Sequence, residues 1–319
     1  MRDLRIIFMG TPDFAVASLD ALVQQKYTIA GVITAPDRPA GRGQKLRMSA
    51  VKEYAVAHDL PVLQPVNLKD EAFLKELKAL NGNLQIVVAF RMLPVAVWKM
   101  PEYGTFNLHA SLLPDYRGAA PINWALINGE TITGVTTFFI DEKIDTGAII
   151  LQEQLAIEPA ENAGSLHDRL MNLGSDLIIK TVEHIKTGEV ETKPQPKKEQ
   201  IHTAYKLNKE NTKIDWSQPI EKINNLIRGL SPYPVAWSEF ENDSKKDTLK
   251  IYAASIAGED FTVAPEAEIG HIKVTDGKLT VQAKDGILLI DEIQLPGKRK
   301  MKVKDLLNGY SFSDGAKML

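Results

Sequence analysis

In the first half of the chain, short apolar runs alternate with stretches whose apolar residues recur every three to four positions. Leu4–Met9 is such a run. Gly10-Thr11-Pro12-Asp13 breaks it, and Phe14, Val16, Leu19, Leu22 and Val23 then follow at helical spacing, which predicts strand, turn and helix. The unit repeats: Thr28–Ile33 reads as a strand, Ser49–His58 as a helix, Pro61–Leu63 as a brief strand, Leu68–Leu80 as a helix and Leu84–Phe90 as a fully buried strand. Further strands are expected at Thr105–Ala110, Gly134–Ile140 and Ala148–Leu155, and a helix from Gly164 to Ile185 that Thr187-Gly188 ends. Alternation of this kind predicts an α/β domain, a doubly wound parallel sheet with helices on both faces.

The pattern changes after Gly188. Residues 189–205 turn to Lys, Glu, Thr, Gln and Pro, and the prolines of Lys193-Pro194-Gln195-Pro196 oppose both helix and central strand, so this segment reads as an interdomain linker. A helix is expected over Gln218–Gly229. Short strands should follow at Ala236–Phe240, Leu249–Ser255, Gly270–Val274, Leu279–Ala283 and Ile287–Leu295, the signature of a small β-barrel of the oligonucleotide-binding (OB-like) type. The expected division is therefore 1–188, a linker at 189–205, and 206–319. A chain of 319 residues is long enough for two cores.

Composition narrows the chemistry. Hydrophobic content of 44% and charged content of 25% are those of an ordinary globular protein, and no stretch approaches the roughly 18 apolar residues of a membrane helix. Met1–Leu4 passes straight into a strand-like run without the apolar core and cleavage site of a signal peptide, so a soluble, cytoplasmic protein is expected. With no cysteine, thiolate catalysis and disulfides are excluded. A net charge of −3 means that any nucleic acid must be held by local patches.

The first turn sits where dinucleotides bind in many α/β folds, yet Gly10-Thr11-Pro12-Asp13-Phe14 lacks the second and third glycines of G-x-G-x-x-G, and Pro12 removes a backbone donor. A tight turn with proline at the first helical position accounts for it. The densest polar signal lies elsewhere, in Asn107-Leu108-His109 and the loop after it. On a strand Asn107 and His109 point to one face, which puts an amide beside an imidazole. Alone, a strand histidine is more often a satisfied structural residue than a catalyst. A second polar loop, Asp141–Gly147, follows another strand, and the ends of parallel strands are where open α/β sheets build their sites. Asp145 is placed to reach His109, orient its ring and favour the imidazolium form, although a loop carboxylate alone is usually a solvated turn former.

Gly10–Ala15, Asn107-Leu108-His109 followed by Ser111-Leu112-Leu113-Pro114, and Asp145-Thr146-Gly147 resemble, in the same order, the motifs of the formyltetrahydrofolate-dependent formyltransferase family. The resemblance implies a Rossmann-like catalytic domain. It implies Asn107, His109 and Asp145 as the catalytic trio, Ser111, Leu112, Leu113 and Pro114 as a folate-contacting loop, 10-formyltetrahydrofolate as the formyl donor, and no metal. Attack of an amine on a formyl carbon develops negative charge on oxygen, so the Asn107 amide and the His109 imidazolium would stabilise it while Asp145 holds His109 and helps move the proton. Phe90-Arg91 departs from the family, where tyrosine-glycine is common.

The acceptor is argued from basic segments. Ala35–Arg47 carries Arg38, Arg42, Lys45 and Arg47 in a glycine-containing loop, similar to an insertion in family members that act on initiator methionyl-tRNA. Such a short charge run is often only a solvated loop. Lys193, Lys197, Lys198, Lys206, Lys209 and Lys213 face only Glu199 and Glu210, and Lys298–Lys304 adds a run with Arg299. Ile227–Ala236 and Asp305–Gly309 resemble the same members' carboxy-terminal domain. The resemblance thus implies a tRNA-binding barrel, and the basic segments themselves suggest Arg42, Lys45, Lys206 and Arg299 as contacts and a salt-sensitive affinity for tRNA. Formylation of amino sugars, hydrolysis of the folate to formate, and noncatalytic RNA binding stay open alternatives. No motif demands a dimer, so a monomer is expected.

Overall fold

The computed structural model describes residues 1–40, 45–258 and 268–319. Contacts divide the chain into two compact units, one formed by residues 1–121, 132–156 and 167–203 and the other by 122–131, 157–166 and 204–319.

In the first unit, β1 (Arg5–Gly10), α1 (Asp13–Gln24) and β2 (Thr28–Ile33) form the expected opening, and the β3 (Arg38–Ala40)–β4 (Lys45–Arg47) hairpin interrupts the path to α2 (Ala50–Ala57). The first helix starts at Asp13 rather than Pro12, which caps it. The Ser49 hydroxyl accepts from Lys52 N at the start of α2. Then come β5 (Val62–Leu63), α3 (Glu71–Ala79), β6 (Leu84–Val88), α4 (Val95–Trp98) and β7 (Thr105–His109). Asp70 caps α3, whose Phe73 and Leu77, four residues apart, are buried on one face. All five residues of β6 are buried, as a strand covered on both faces requires.

After β8 (Arg117–Gly118) and α5 (Pro121–Ile127), β9 (Ile132–Phe139) and β10 (Ile149–Ala156) complete a seven-stranded sheet in the order β10-β9-β7-β6-β1-β2-β5. Five strands are parallel, but β9 runs antiparallel to β7 and to β10. The doubly wound parallel sheet expected from the sequence is thus extended at one edge by an antiparallel hairpin. The nine residues between Phe139 and Ile149 suffice for a hairpin but not for the crossover of a dozen or more residues that a parallel pair needs. The chain runs outward from β1 through β2 to β5, then returns to the other side of β1 at β6, which places a topological switch point between β1 and β6. Gly10 closes β1 there, and a Cβ on it would sit 2.6 Å from Ala15 Cβ and 3.1 Å from the Val88 carbonyl. The long α6 (Ala163–Thr187) is followed by β11 (Thr203–Ala204).

The second unit is built on α7 (Ile220–Leu230), β12 (Ala236–Asn242), β13 (Lys245–Ile256), β14 (Ile272–Thr275), β15 (Lys278–Gln282), β16 (Ile287–Gln294), β17 (Met301–Lys302), α8 (Val303–Leu306) and β18 (Lys317–Met318). Ile220, Ile223, Ile227 and Leu230 form the buried stripe of α7 and join Phe240, Leu249, Ile251, Leu279, Leu288 and Ile293 in one core. The antiparallel order is β14-β15-β16-β13-β12-β18, with β17 on β16. A bridge between His271 and Lys317 brings β18 to the start of β14, so the sheet closes into a nearly complete barrel.

Closure puts Gly270 under a hard constraint. Its φ is +85°, and a Cβ would lie 2.3 Å from the Met318 carbonyl that β18 presents. Gly270→Ala is expected to lower the unfolding free energy by about 2 kcal/mol or more, since strained backbone alone costs about 1–3 kcal/mol. Gly309, which has nothing within 4 Å, provides the control. Urea denaturation giving equal stability for Gly270→Ala and Gly309→Ala would contradict the closure constraint.

Candidate active site

Asn107 and His109 project from the same face of β7, whose carboxy-terminal end opens beside the switch point. Asn107 is half-buried, and its amide has no hydrogen-bond partner among the described residues. His109 is buried, and its Nε2 lies 2.8 Å from the Tyr116 carbonyl oxygen. A carbonyl only accepts, so Nε2 carries the proton in that bond. The other ring nitrogen, Nδ1, is 3.9 Å from Asp145 Oδ2, too long for a direct hydrogen bond. The bond that orients the ring therefore comes from Tyr116, and the sequence expectation had assigned that task to Asp145. Nδ1 remains as the ring nitrogen able to meet a reacting group.

Asp145 is held by other means. Its Oδ2 accepts from Gly118 N at 3.0 Å, and its backbone lies in the left-handed region with φ +54°, which aspartate tolerates better than most residues. Because β9 runs antiparallel to β7, with Phe139 opposite Phe106, the loop holding Asp145 does not leave from the carboxy-terminal end of a parallel strand. It returns to His109 through tight backbone contact. A Cβ on Gly147 would sit 1.7 Å from the Phe139 carbonyl, so only glycine fits that crossing.

The Ser111–Pro114 loop is fixed from below by Thr136 of β9. The Thr136 hydroxyl donates to the Ser111 carbonyl at 2.6 Å and accepts from Leu113 N at 3.2 Å and from Gln152 Nε2 at 2.9 Å. Gln152 Nε2 also reaches the Leu113 carbonyl at 3.0 Å. Ser111 Oγ donates to the Asp115 carbonyl at 2.7 Å. Ser111, Leu113 and Pro114 are buried, leaving Leu112 as the partly exposed member of the four.

Residues that composition marked as linker belong to this site. Gln195 Nε2 donates to the carbonyls of Asp145 at 2.9 Å and Gly147 at 3.0 Å, while its Oε1 accepts from Arg117 Nε at 3.1 Å. Lys193 bridges Ile149, Lys198 pairs with Asp115, and the His202 carbonyl accepts from Tyr116 N at 2.6 Å. No sequence signal pointed to Gln195, Gln152 or Thr136. Glutamine in a proline- and lysine-rich run reads as solvated, and a strand threonine reads as ordinary.

Of the expected tRNA contacts, Arg42 lies outside the described residues and Lys45 opens β4. Lys206 and Arg299 are exposed and have no ion-pair partner among the described residues. Arg91, where the family pattern is broken, donates to the carbonyls of Val66, at 2.8 Å, and Pro65, and stacks over Phe90. It thereby ties the loop after β5 to the loop after β6. No group of three or more His, Asp or Glu side chains placed to hold a metal occurs among the described residues.

Known proteins resemble the chain along its whole length. The formyl transferase family model matches residues 4–182, and the formyl transferase carboxy-terminal domain model matches 206–311. A methionyl-tRNA formyltransferase of Flavobacterium johnsoniae is 61% identical over 318 residues, covering 100% of both chains. One of Bacteroides fragilis is 51% identical over 322 residues, covering 99% of this chain and 98% of the other. Among solved structures, a sugar 3N-formyl transferase, WlaRD, shares 21% identity at a TM-score of 0.64, with 94% of this chain and 100% of that one covered. HypX of Aquifex aeolicus, in complex with tetrahydrofolic acid, shares 17% at 0.64; this chain is covered to 96% and spans 47% of that protein. At such identities the two structures speak to the fold.

At the base of the β3–β4 hairpin, Asp37 accepts from Lys52 Nζ at 2.6 Å and from Gln64 Nε2 at 2.8 Å, and these bonds, Lys52 foremost, hold its carboxyl below the usual carboxylate range. A depressed folded-state pKa stabilises above the unfolded value, about 3.9, and this contribution is lost as pH falls through the lower folded value. The stability gap between the protein and Asp37→Asn is therefore expected to be full at neutral pH and to close in acid. Denaturation curves with a constant gap from about pH 7 to below pH 3 would contradict it.

Proposed function

The chain belongs to the formyl transferase family, and from this premise we propose that it transfers the formyl group of 10-formyltetrahydrofolate to the α-amino group of methionine on initiator tRNA. It is a one-carbon transferase. The observation that carries the catalytic reading is the unengaged Asn107 amide beside His109, whose Nδ1 alone is uncommitted. In this reading residues 1–188 carry the reacting groups and 206–319 bind tRNA, and the 189–205 segment that joins them also packs on the loops of the site.

The folate binds with its formyl group over β7, in the crevice at the β1/β6 switch point, where open α/β sheets take ligands. Leu112 contacts it, and buried Ser111, Leu113 and Pro114 give the loop its shape. As the amine attacks, the formyl oxygen gains negative charge, and the Asn107 amide and His109 Nδ1–H donate to it. His109 is fixed before the reaction begins by its Nε2 bond to the Tyr116 carbonyl, so that donor needs little reorganisation at the transition state. Asp145, 3.9 Å from Nδ1, stabilises the charged ring and accepts the proton lost by the attacking nitrogen, which is then passed to the folate nitrogen as the C–N bond to it breaks. His109 is not a nucleophile and no covalent enzyme intermediate is needed.

Exposed Lys206 and Arg299 contact tRNA phosphates, and the basic sequence segment with Arg42 and Lys45 meets the acceptor end. The protein works as a monomer in the cytoplasm, where charged tRNA and reduced folate are both at hand.

Transfer assays with charged initiator tRNA, methionyl elongator tRNA and free methionine are expected to give product with the first alone. Formate release without any formylated tRNA would replace transfer with hydrolysis. Asn107→Ala and His109→Ala are each expected to lower kcat by about 100- to 1,000-fold. A folded variant with near-normal turnover would remove that residue from the mechanism. Lys206→Ala and Arg299→Ala are expected to raise KM for tRNA, leave kcat nearly intact and flatten the salt dependence of binding. An unchanged salt slope would remove the phosphate contacts.

A further inference from the structure

We propose that Gln195, in the segment between the two family-matched regions, is a positioning residue that sets Asp145 for proton transfer. The inference rests on the catalytic reading of Asn107, His109 and Asp145 and extends the site beyond residues 4–182 and 206–311. Asp145 sits at φ +54°, and nothing within its own loop is bonded to its carbonyl among the described residues apart from what Gln195 supplies. The Gln195 amide donates to two carbonyls of that loop, at 2.9 and 3.0 Å, and so clamps the main chain on both sides of Thr146.

The other end of the amide faces the opposite wall. Gln195 Oε1 accepts from Arg117, the residue before Gly118, whose N–H holds the Asp145 carboxylate at 3.0 Å. One side chain thus joins the two segments that together aim Oδ2: the loop that carries it and the loop that binds it. Both functions of the amide are needed, since the donors must face carbonyls and the acceptor must face a guanidinium. Glutamine supplies both, and glutamate supplies only the acceptor.

Gln195 does not touch the reacting atoms in this account. It acts through Asp145, where a shift of the order of 1 Å can cost about 100-fold in rate. The neighbouring anchors fit the same arrangement: Lys193 pairs with Ile149 beyond the hairpin, and Lys198 holds Asp115 in the adjoining loop. The segment is therefore strapped to the catalytic unit over 193–203.

A double-mutant cycle in the full-length protein tests this. Gln195→Glu and Gln195→Leu are made alone and combined with Asp145→Asn, and steady-state formyl transfer to charged initiator tRNA is measured for each. The expected result is a fall in kcat of about 10- to 100-fold for either single variant, with KM for folate and tRNA within about two-fold. In the Asp145→Asn background the same changes should cost little, because the group they position is already gone. Equal losses in both backgrounds, or an unaltered kcat, would overturn the proposal. Gln195→Glu matches the native shape, so a loss confined to Gln195→Leu would indicate packing alone and also overturn it. A wild-type protein that transfers no formyl group would refute the underlying function instead.

Discussion

The Tyr116 carbonyl fixes the chemistry of the site because it can only accept. It draws a proton to His109 Nε2 at 2.8 Å and leaves Nδ1 as the one ring nitrogen facing Asp145 and the open end of β7. Tyr116 is itself held in an unusual backbone state, with φ +59°, by the bond from its own N–H to the His202 carbonyl. Strain of this kind persists where surrounding bonds over-determine it. The ring orientation of a residue on a central strand is thus decided by a loop, and that loop by a segment far along the chain.

A second constraint acts on the hairpin between β9 and β10. Thr136 binds three partners at once and ties the Ser111–Pro114 loop to the sheet, while Gly147 passes so close to the Phe139 carbonyl that no side chain fits. Gly134 is under similar pressure, since a Cβ there would meet the Glu153 carbonyl at 2.1 Å and Leu112 Cδ2 at 2.6 Å. The antiparallel strands are therefore more than an edge to the parallel sheet. They form the floor under the two loops that bear the polar cluster.

Much of this was legible in the chain because periodicity records burial. Leu84–Phe90 announced the central strand, and the strands expected after residue 235 match β12 to β16 within a few residues. Asn107 and His109 could be paired because a strand has period two, and Asp145 because polar loops at strand ends are informative. The strand directions at the sheet edge were not legible, since periodicity carries no sign. Nor was Gln195. Its role depends on long-range bonds to residues 117, 145 and 147, while its sequence neighbours favour an extended, solvated segment. The two-residue β18 was invisible for a related reason: its partners, not its composition, make it a strand.

Charge counting along the sequence also overstates what a polyanion would meet. Lys198 is paired with Asp115, Lys213 with Glu239 at 2.6 Å and Lys300 with Glu292 at 2.7 Å, so three lysines of the basic runs already face carboxylates. Lys298 lies over the Tyr310 ring and Lys209 over Trp237. Exposed ion pairs are worth about 1 kcal/mol or less each, so a phosphate can displace a carboxylate, but it then gains less than it would from an unpaired cation. With a net charge of −3, long-range attraction is weak beyond a Debye length of about 8 Å at physiological salt. The basic runs taken whole therefore overstate the charge open to a polyanion, whereas Lys206 and Arg299 have no carboxylate partner among the described residues.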